Sequence, residues 1–332
     1  MTVGIMPHPA YVEAREGLKV LIRNRVPGEI SALVGLSGMG KSEVRFAVMQ
    51  SEFGDTRAWG RGRLPATMVL AAPTDVGTFN SKDFALRMLQ SVQDPSLEWL
   101  GARANMEDAD VIYRSNQLKI DGELWRRARR DTTEHLMLRQ FVACAKARGL
   151  EILVIEQAGS MTHVRPKQRP DLHMNSLMCL CMDAGIHVVL IGVPRTCLLW
   201  LSDGEVSRRT RCVYVRRYHL ERNDDVAAVK QIIATLAQSL TRAERLVIYN
   251  SLDLIFHATL GIYDELRSLL NRMVVARDAE GSTSVKRAHL EMSVHPLPRL
   301  QSMYEAARLV DVAQRPASPK DARDLFSSVL AP

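Results

Sequence analysis

Long apolar runs are missing from this chain of 332 residues. A bilayer span needs ~18–20 consecutive apolar residues, and the longest stretch here, Ile186–Val193, stops far short of that. No membrane partner is expected. The opening residues, MTVGIMPHPAYVEAREG, hold neither a basic start nor a continuous apolar segment, so no secretory leader is expected. Cysteine is scarce. Cys144, Cys179, Cys181, Cys197 and Cys212 are odd in number and lack zinc or dithiol spacing, which reads as free thiols in a reducing cytoplasm. His163 and His173 have no ligand set around them, so no zinc is expected. Aromatic residues make up only 5%, too few for base stacking to be a main mode of nucleic-acid binding, which favours duplex over single strands. The guanine-recognition pattern Asn-Lys-x-Asp is absent, which argues against a GTPase. No fixed-period repeat and no long low-complexity tract is present.

What is present describes a soluble globular protein, 46% apolar and 24% charged. At roughly 100–200 residues per domain the length suggests two domains. Lys plus Arg is 44 against 37 Asp plus Glu, a net +7 that is compatible with a polyanionic partner. The Met-rich stretch Met174–Met182 reads as core packing.

Periodicity changes along the chain. Ala14, Leu18, Leu21 and Ile22 have helical spacing, and Pro27-Gly28 ends that helix. Ile30–Val34, Thr67–Ala72, Leu150–Ile155, Ile186–Ile191 and Cys212–Val215 read as short strands. Helices over Glu43–Gln50, Ser81–Gln90, Thr133–Arg148 and Asn175–Ala184 separate them, with Asn80 or Ser81 as a cap and Gly149 as a stop. Beyond Leu220 only helical spacing remains, over Asp225–Leu240, Arg242–Ala258, Tyr263–Ala276 and Ser284–Met292. The expectation is a three-layer α/β domain followed by a helical one. The divisions are 1–28, an N-terminal helical segment; 29–220, the α/β domain; 221–295, the helical domain; and 296–332, a looser tail marked by Pro296, Pro298 and Pro316. Residues 95–130 are polar, Arg-rich and without clear period.

Gly35-Leu36-Ser37-Gly38-Met39-Gly40-Lys41-Ser42 matches the phosphate-loop pattern G-x-x-x-x-G-K-[ST] in full. It lies between a buried strand and a helix, the context in which backbone N–H groups and a helix N-terminus cradle phosphates. Lys41 is expected at the β- and γ-phosphates of a nucleotide, and Ser42 on Mg²⁺. An apolar strand ending in an acid should stand beside such a loop, and Leu150–Ile155 followed by Glu156-Gln157 is the strong candidate. Glu156 is expected to hold the metal or its waters; a mere cap on the strand is the alternative. Gln157 stands where ATPases of this kind commonly carry a second carboxylate that polarises the attacking water. Glutamine can orient a water but cannot take its proton, so hydrolysis is slow or the base lies elsewhere. An engineered Glu→Gln trap would leave the same pair.

Several segments, in order, resemble the TniB/TnsC-type AAA+ ATPases of DNA transposition, relatives of the phage MuB protein. They are His8-Pro9 with its helix, the phosphate loop, Met68–Pro73 with Ser81–Leu89, Ile186–Pro194, Glu205–Arg211 and His257–Arg267. The resemblance covers roughly residues 8–292. It implies a P-loop AAA+ domain with a parallel sheet of strand order 5-1-4-3-2, a helical lid, and ATP sites between subunits. It makes Ile186–Pro194 a sensor-1 region, Arg267 a sensor-2 residue and Arg209 an arginine finger reaching a neighbour's ATP; Arg208 or Arg211 is the alternative finger, and a solvated or DNA-facing basic strip is the other reading of all three. Three departures stand out: Glu156-Gln157 for Asp-Glu, Arg209-Thr210 for Arg-Phe, and residues 95–130, longer than the core fold requires and readable as an insertion.

Basic clusters fall at Arg57/Arg61/Arg63, Arg126/Arg127/Arg129/Arg130, Arg165/Lys167/Arg169 and Arg216/Arg217. Arginine and lysine contacts to phosphates give sequence-independent affinity, as a binder of target duplex DNA needs. Arg126–Arg130 and Arg165–Arg169 are the expected DNA contacts; solvated surface charge is the alternative. The resemblance implies a bacterial, nucleoid-associated cytoplasmic protein. With ATP it would form a hexameric or heptameric ring or a helical filament on DNA, recruit a transposase and connect it to a target-selection protein. A helicase-loader-type AAA+ protein and a non-hydrolysing nucleotide-switch scaffold are the rival readings.

Overall fold

The computed structural model describes residues 7–73, 77–100, 132–164, 170–201 and 203–315, with Ser318 and Asp321. Helix α1 (Pro9–Arg23) begins at His8, whose ring accepts the Tyr11 N–H, and buries Ala10, Ala14, Leu18 and Ile22 at four-residue spacing. Strand β1 (Ile30–Gly35) runs into the glycine loop and then α2 (Lys41–Phe53). Next come β2 (Ala66–Leu70) and α3 (Ser81–Gln93), whose cap Asn80 accepts from the N–H groups of Lys82 and Asp83. Helix α4 (Glu134–Arg148) has Thr133 as its N-cap and ends at Gly149 in the left-handed conformation. Strand β3 (Ile152–Glu156), α5 (Asp171–Ala184), β4 (His187–Gly192), α6 (Gly204–Arg208) and β5 (Thr210–Val215) complete the α/β part.

All five strands are parallel and lie in the order β2-β3-β4-β1-β5. Read from the other edge this is the expected 5-1-4-3-2. Every residue of β1 and β4 is buried, as continuous apolar runs require when helices cover both faces. Edge strand β5 is mostly half-buried. Because the strands share one direction, Gly35, Glu156 and Gly192 all finish at the same end of the sheet. That end is where open α/β sheets place their ligands.

The helical part comprises α7 (Asn223–Leu236), α8 (Arg242–Tyr249), α9 (Leu252–Thr259), α10 (Tyr263–Ala279), α11 (Arg287–Met292) and α12 (Leu297–Gln314). Its core includes Val229, Ile232, Ile233, Ile255, Leu266, Leu269 and Met273. Two expectations change here. The helix read over 242–258 is two helices. Ser251 is buried between them and its hydroxyl bonds back to the Val247 carbonyl, an alternative partner that competes with the helical ladder. The segment read as a looser tail carries the 18-residue α12. Pro296 and Pro298 stand at its start, where the N–H groups have no intrahelical partner to lose. Asp311 ties α12 to Arg217 at 2.6 Å.

Candidate nucleotide site

The loop after β1 has the backbone a phosphate cradle needs. Gly38 (φ 79°) and Gly40 (φ 81°) occupy the left-handed region that glycine adopts without steric cost. A Cβ on Gly38 would also lie 2.7 Å from the Asp264 Cβ. Lys41 Nζ donates to the Leu36 carbonyl at 2.7 Å, so the loop curls around its own lysine. Burial pulls the Lys41 pKa down to about 8, against the opposing pull of Glu156. Ser42, the next residue, is exposed.

Glu156 ends β3 opposite Leu70 of β2 and acts on Lys41 electrostatically, so the two expected site residues are brought together. Its carboxylate also has a partner that the motif does not contain. Arg45 Nε donates to Glu156 Oε1 at 2.8 Å, and Arg45 Nη1 donates to the Trp99 carbonyl at 3.0 Å. The Arg45 guanidinium stands 6.0 Å from the Trp99 ring centroid. Both charged side chains of the pair are largely buried, 11% and 13% exposed. Arg45 lies one helical turn beyond Lys41 and Ser42, on the same side of α2. That spacing was the available signal for it.

Gln157 is exposed and left-handed, at φ 55° and ψ 35°. This region costs a side-chain-bearing residue energy. Its amide makes no hydrogen bond among the described residues, and it opens the short 3₁₀ helix Ala158–Thr162.

The helical part reaches the loop directly. The Asp264 N–H donates to the Gly38 carbonyl at 3.1 Å, and Arg267, one turn along α10, bonds Asp264 Oδ1 at 2.7 Å. Arg267 is therefore tied to the loop through Asp264, a residue the sequence did not single out. An aromatic corner adjoins this contact. His8 stacks on Tyr263 with ring centroids 4.9 Å apart. Its Nδ1 accepts from the Tyr11 N–H and lies 2.7 Å from the Tyr218 hydroxyl. Burial, and then Arg216, lower the His8 pKa to about 4, so the ring is neutral.

Arg208, Arg209 and Arg211 lie at the opposite end of the sheet. Thr210 pairs with Ile30, the first residue of β1, and at about 3.3 Å per residue the strand puts roughly 17 Å between that position and Gly35. Arg209 pairs with Glu205 at 3.3 Å and Arg211 with Glu29 at 3.1 Å. Arg208 is exposed and has no such partner among the described residues. None of the three is placed to serve its own chain's phosphate loop.

The basic clusters fare differently. Arg126, Arg127, Arg129, Arg130, Arg165, Lys167 and Arg169 lie outside the described residues. Arg216 and Arg217 are not a free basic strip: Arg216 pairs with Glu13 at 2.7 Å and with the buried Asp225 at 2.5 Å, and Arg217 pairs with Asp311. Arg63 stands 3.9 Å from Glu151. Among the described residues, no helix is long and apolar enough to cross a membrane.

A five-stranded parallel sheet in this order, a phosphate loop after β1 and a helical part following β5 define the P-loop AAA+ fold. The chain is similar to the Drosophila ORC bound to DNA, with 11% identity over 98% of this chain and 80% of that one and a TM-score of 0.51. It is also similar to the Aeropyrum pernix ORC2 protein in its ADPNP–ADP complexes, with 12% identity, coverage of 98% and 87%, and a TM-score of 0.47. A third likeness is to the Walker-type ATPase of Pyrococcus abyssi, at 13% identity, coverage of 90% and 88%, and a TM-score of 0.47. At 11% identity, the likeness to the Drosophila ORC is one of fold alone. No protein-family model matches the chain, and no curated protein matches it in sequence.

Proposed function

We propose that the chain is an ATP-dependent regulator of DNA transposition. It binds ATP at the loop Gly35–Ser42, assembles with copies of itself on target duplex DNA, and in that state recruits and activates a transposase and links it to a target-selection protein. The observation that supports the nucleotide part is the meeting of Lys41 and Glu156 at one end of the sheet, with Ser42 next in the chain and α10 bonded to the loop through Asp264 and Gly38. The transposition part rests on the order of segments resembling TniB/TnsC-type proteins.

The Ser42 hydroxyl and the Glu156 carboxylate are hard oxygen donors of the kind Mg²⁺ takes alongside nucleotide phosphates. They fit that ion, and they are the residues that would hold it. Bound there, Mg²⁺ supplies charge neutralisation on the phosphates. Lys41 carries positive charge to the phosphate oxygens, and the loop N–H groups orient them. Gln157 orients the attacking water without taking its proton, which makes turnover slow. Arg267 acts on the same chain's nucleotide. The finger, Arg209 or Arg208, acts on that of a neighbouring copy in a hexameric or heptameric ring or a helical filament. Arg126–Arg130 and Arg165–Arg169 supply phosphate contacts to duplex DNA.

Electron microscopy of the protein with a non-hydrolysable ATP analogue and duplex DNA tests this. Ordered rings or filaments that need both ligands, and that Lys41→Ala does not form, are expected. Assembly on single-stranded DNA alone, or on a helicase, would replace the reading with that of a loader. A second reading, a scaffold that holds ATP without turning it over, is favoured by Gln157 and by the Arg45 cation on Glu156. Absence of DNA-stimulated phosphate release would select it.

A further inference from the structure

Glu156 is the one carboxylate at the end of β3, and a cation already sits on it. Arg45 Nε contacts Glu156 Oε1 at 2.8 Å, within a pair that solvent barely reaches. A divalent ion held by Ser42 and Glu156 would have to share the Glu156 carboxylate with the Arg45 guanidinium already bonded to it. Like charges this close, in a partly desolvated pocket, repel strongly. Arg45 is also not held by Glu156 alone. Its Nη1 bonds the Trp99 carbonyl and its charge faces the Trp99 ring, so a second seat for the guanidinium already exists.

We propose that Arg45 is a positioning residue that competes with Mg²⁺ for Glu156. Without metal, Arg45 neutralises the carboxylate. When the metal enters with nucleotide, Glu156 turns to it and the guanidinium is left to Trp99. The consequence is a raised Mg²⁺ requirement for the tight nucleotide state and a signal of metal occupancy that appears at Trp99, outside the phosphate loop. No covalent step is involved. The inference rests on the ATP reading of the site.

The test is a titration of the full-length protein with a fluorescent ATP analogue, first in EDTA and then against increasing Mg²⁺. Binding in EDTA that Lys41→Ala weakens upholds the ATP reading; no difference between the two proteins overturns that reading by itself. Given binding, Arg45→Met is expected to lower the Mg²⁺ concentration for half-maximal tightening, relative to its own EDTA affinity, by about tenfold, since it removes a unit charge next to a metal ligand. Arg45→Lys keeps the charge and should restore most of the wild-type requirement. An unchanged or raised Mg²⁺ requirement in Arg45→Met overturns the inference and makes Arg45 a structural support of Glu156. A readout on the unaltered residues guards against a variant that does not fold. In the wild-type protein, adding Mg²⁺ to the ATP complex should shift the Trp99 component of emission, obtained by difference from Trp99→Phe. No shift at saturating Mg²⁺ would equally overturn it.

Discussion

Burial leaves the Lys41 ammonium with a pKa of about 8, and nucleotide phosphates in the loop would favour the charged form again. Binding of ATP therefore takes up a proton above that pH. With a free-state pKa near 8, the lysine is about 90% charged at pH 7 and about 10% at pH 9. If the bound state keeps it charged throughout, apparent affinity falls about tenfold between those values, or about 1.4 kcal/mol. The sign is fixed by the direction of the shift: a lysine whose pKa is lowered in the free protein must be re-protonated to bind, so alkaline pH weakens binding. Titration calorimetry at pH 7, 8 and 9 in two buffers of different ionisation enthalpy reads both the affinity and the proton uptake. Lys41→Arg carries a permanent charge and should flatten the profile. Equal wild-type affinity at pH 7 and pH 9 would refute the lowered Lys41 pKa, and a tenfold fall that persists in Lys41→Arg would assign the pH dependence to another group.

Arg209→Ala or Arg208→Ala should leave ATP binding by an isolated subunit nearly unchanged while impairing assembly or turnover, because both arginines lie at the far end of the sheet from their own loop; loss of binding at subunit concentrations too low to assemble would contradict this. Gln157→Glu should raise phosphate release at least several-fold, since a positioned carboxylate base contributes ~10²–10⁴-fold to such steps, and brisk wild-type hydrolysis that the change does not improve would show that another group activates the water. Gly261→Ala should lower stability by about 2–4 kcal/mol in thermal or denaturant unfolding, combining a left-handed backbone with overpacking, because its Cβ would fall 2.2 Å from the Tyr218 carbonyl oxygen at φ 67°; an unchanged midpoint would contradict that geometry.

The loop and its strand were legible because their signal is local: glycines that need positive φ, a lysine, a hydroxyl and flanking apolar and helical patterns, all within a dozen residues. Glu156 was legible because an acid at the end of a buried apolar strand is costly to desolvate unless a cation or hydrogen-bond donors meet it there. Arg45 was not, although its helical spacing from Lys41 was visible, because its partner is 111 residues away and the pairing depends on which strand stands beside β2. Arg216 and Arg217 were visible in the sequence only as a basic cluster, and their partners were hidden for the same reason: Glu13, Asp225 and Asp311 arrive from three other elements. Helix α12 was hidden by its own prolines, which disrupt a helix interior but fit its first turn. The helical part was recognised as a unit, but nothing in its periodicity revealed that α10 would touch the phosphate loop.

That touch has a mechanical consequence. The Gly38 carbonyl is bonded to the N–H of Asp264, and the space a side chain would need at Gly38 is filled by the Asp264 side chain. The cradle and the helix are thus tethered at a point with no slack. A loop that tightens on its ligand pulls on α10, and a load that tilts α10 deforms the loop. Free energy passes such a tether equally in both directions. If a neighbouring copy pushed on the helical part and so altered nucleotide affinity, the nucleotide would alter that copy's grip by the same factor.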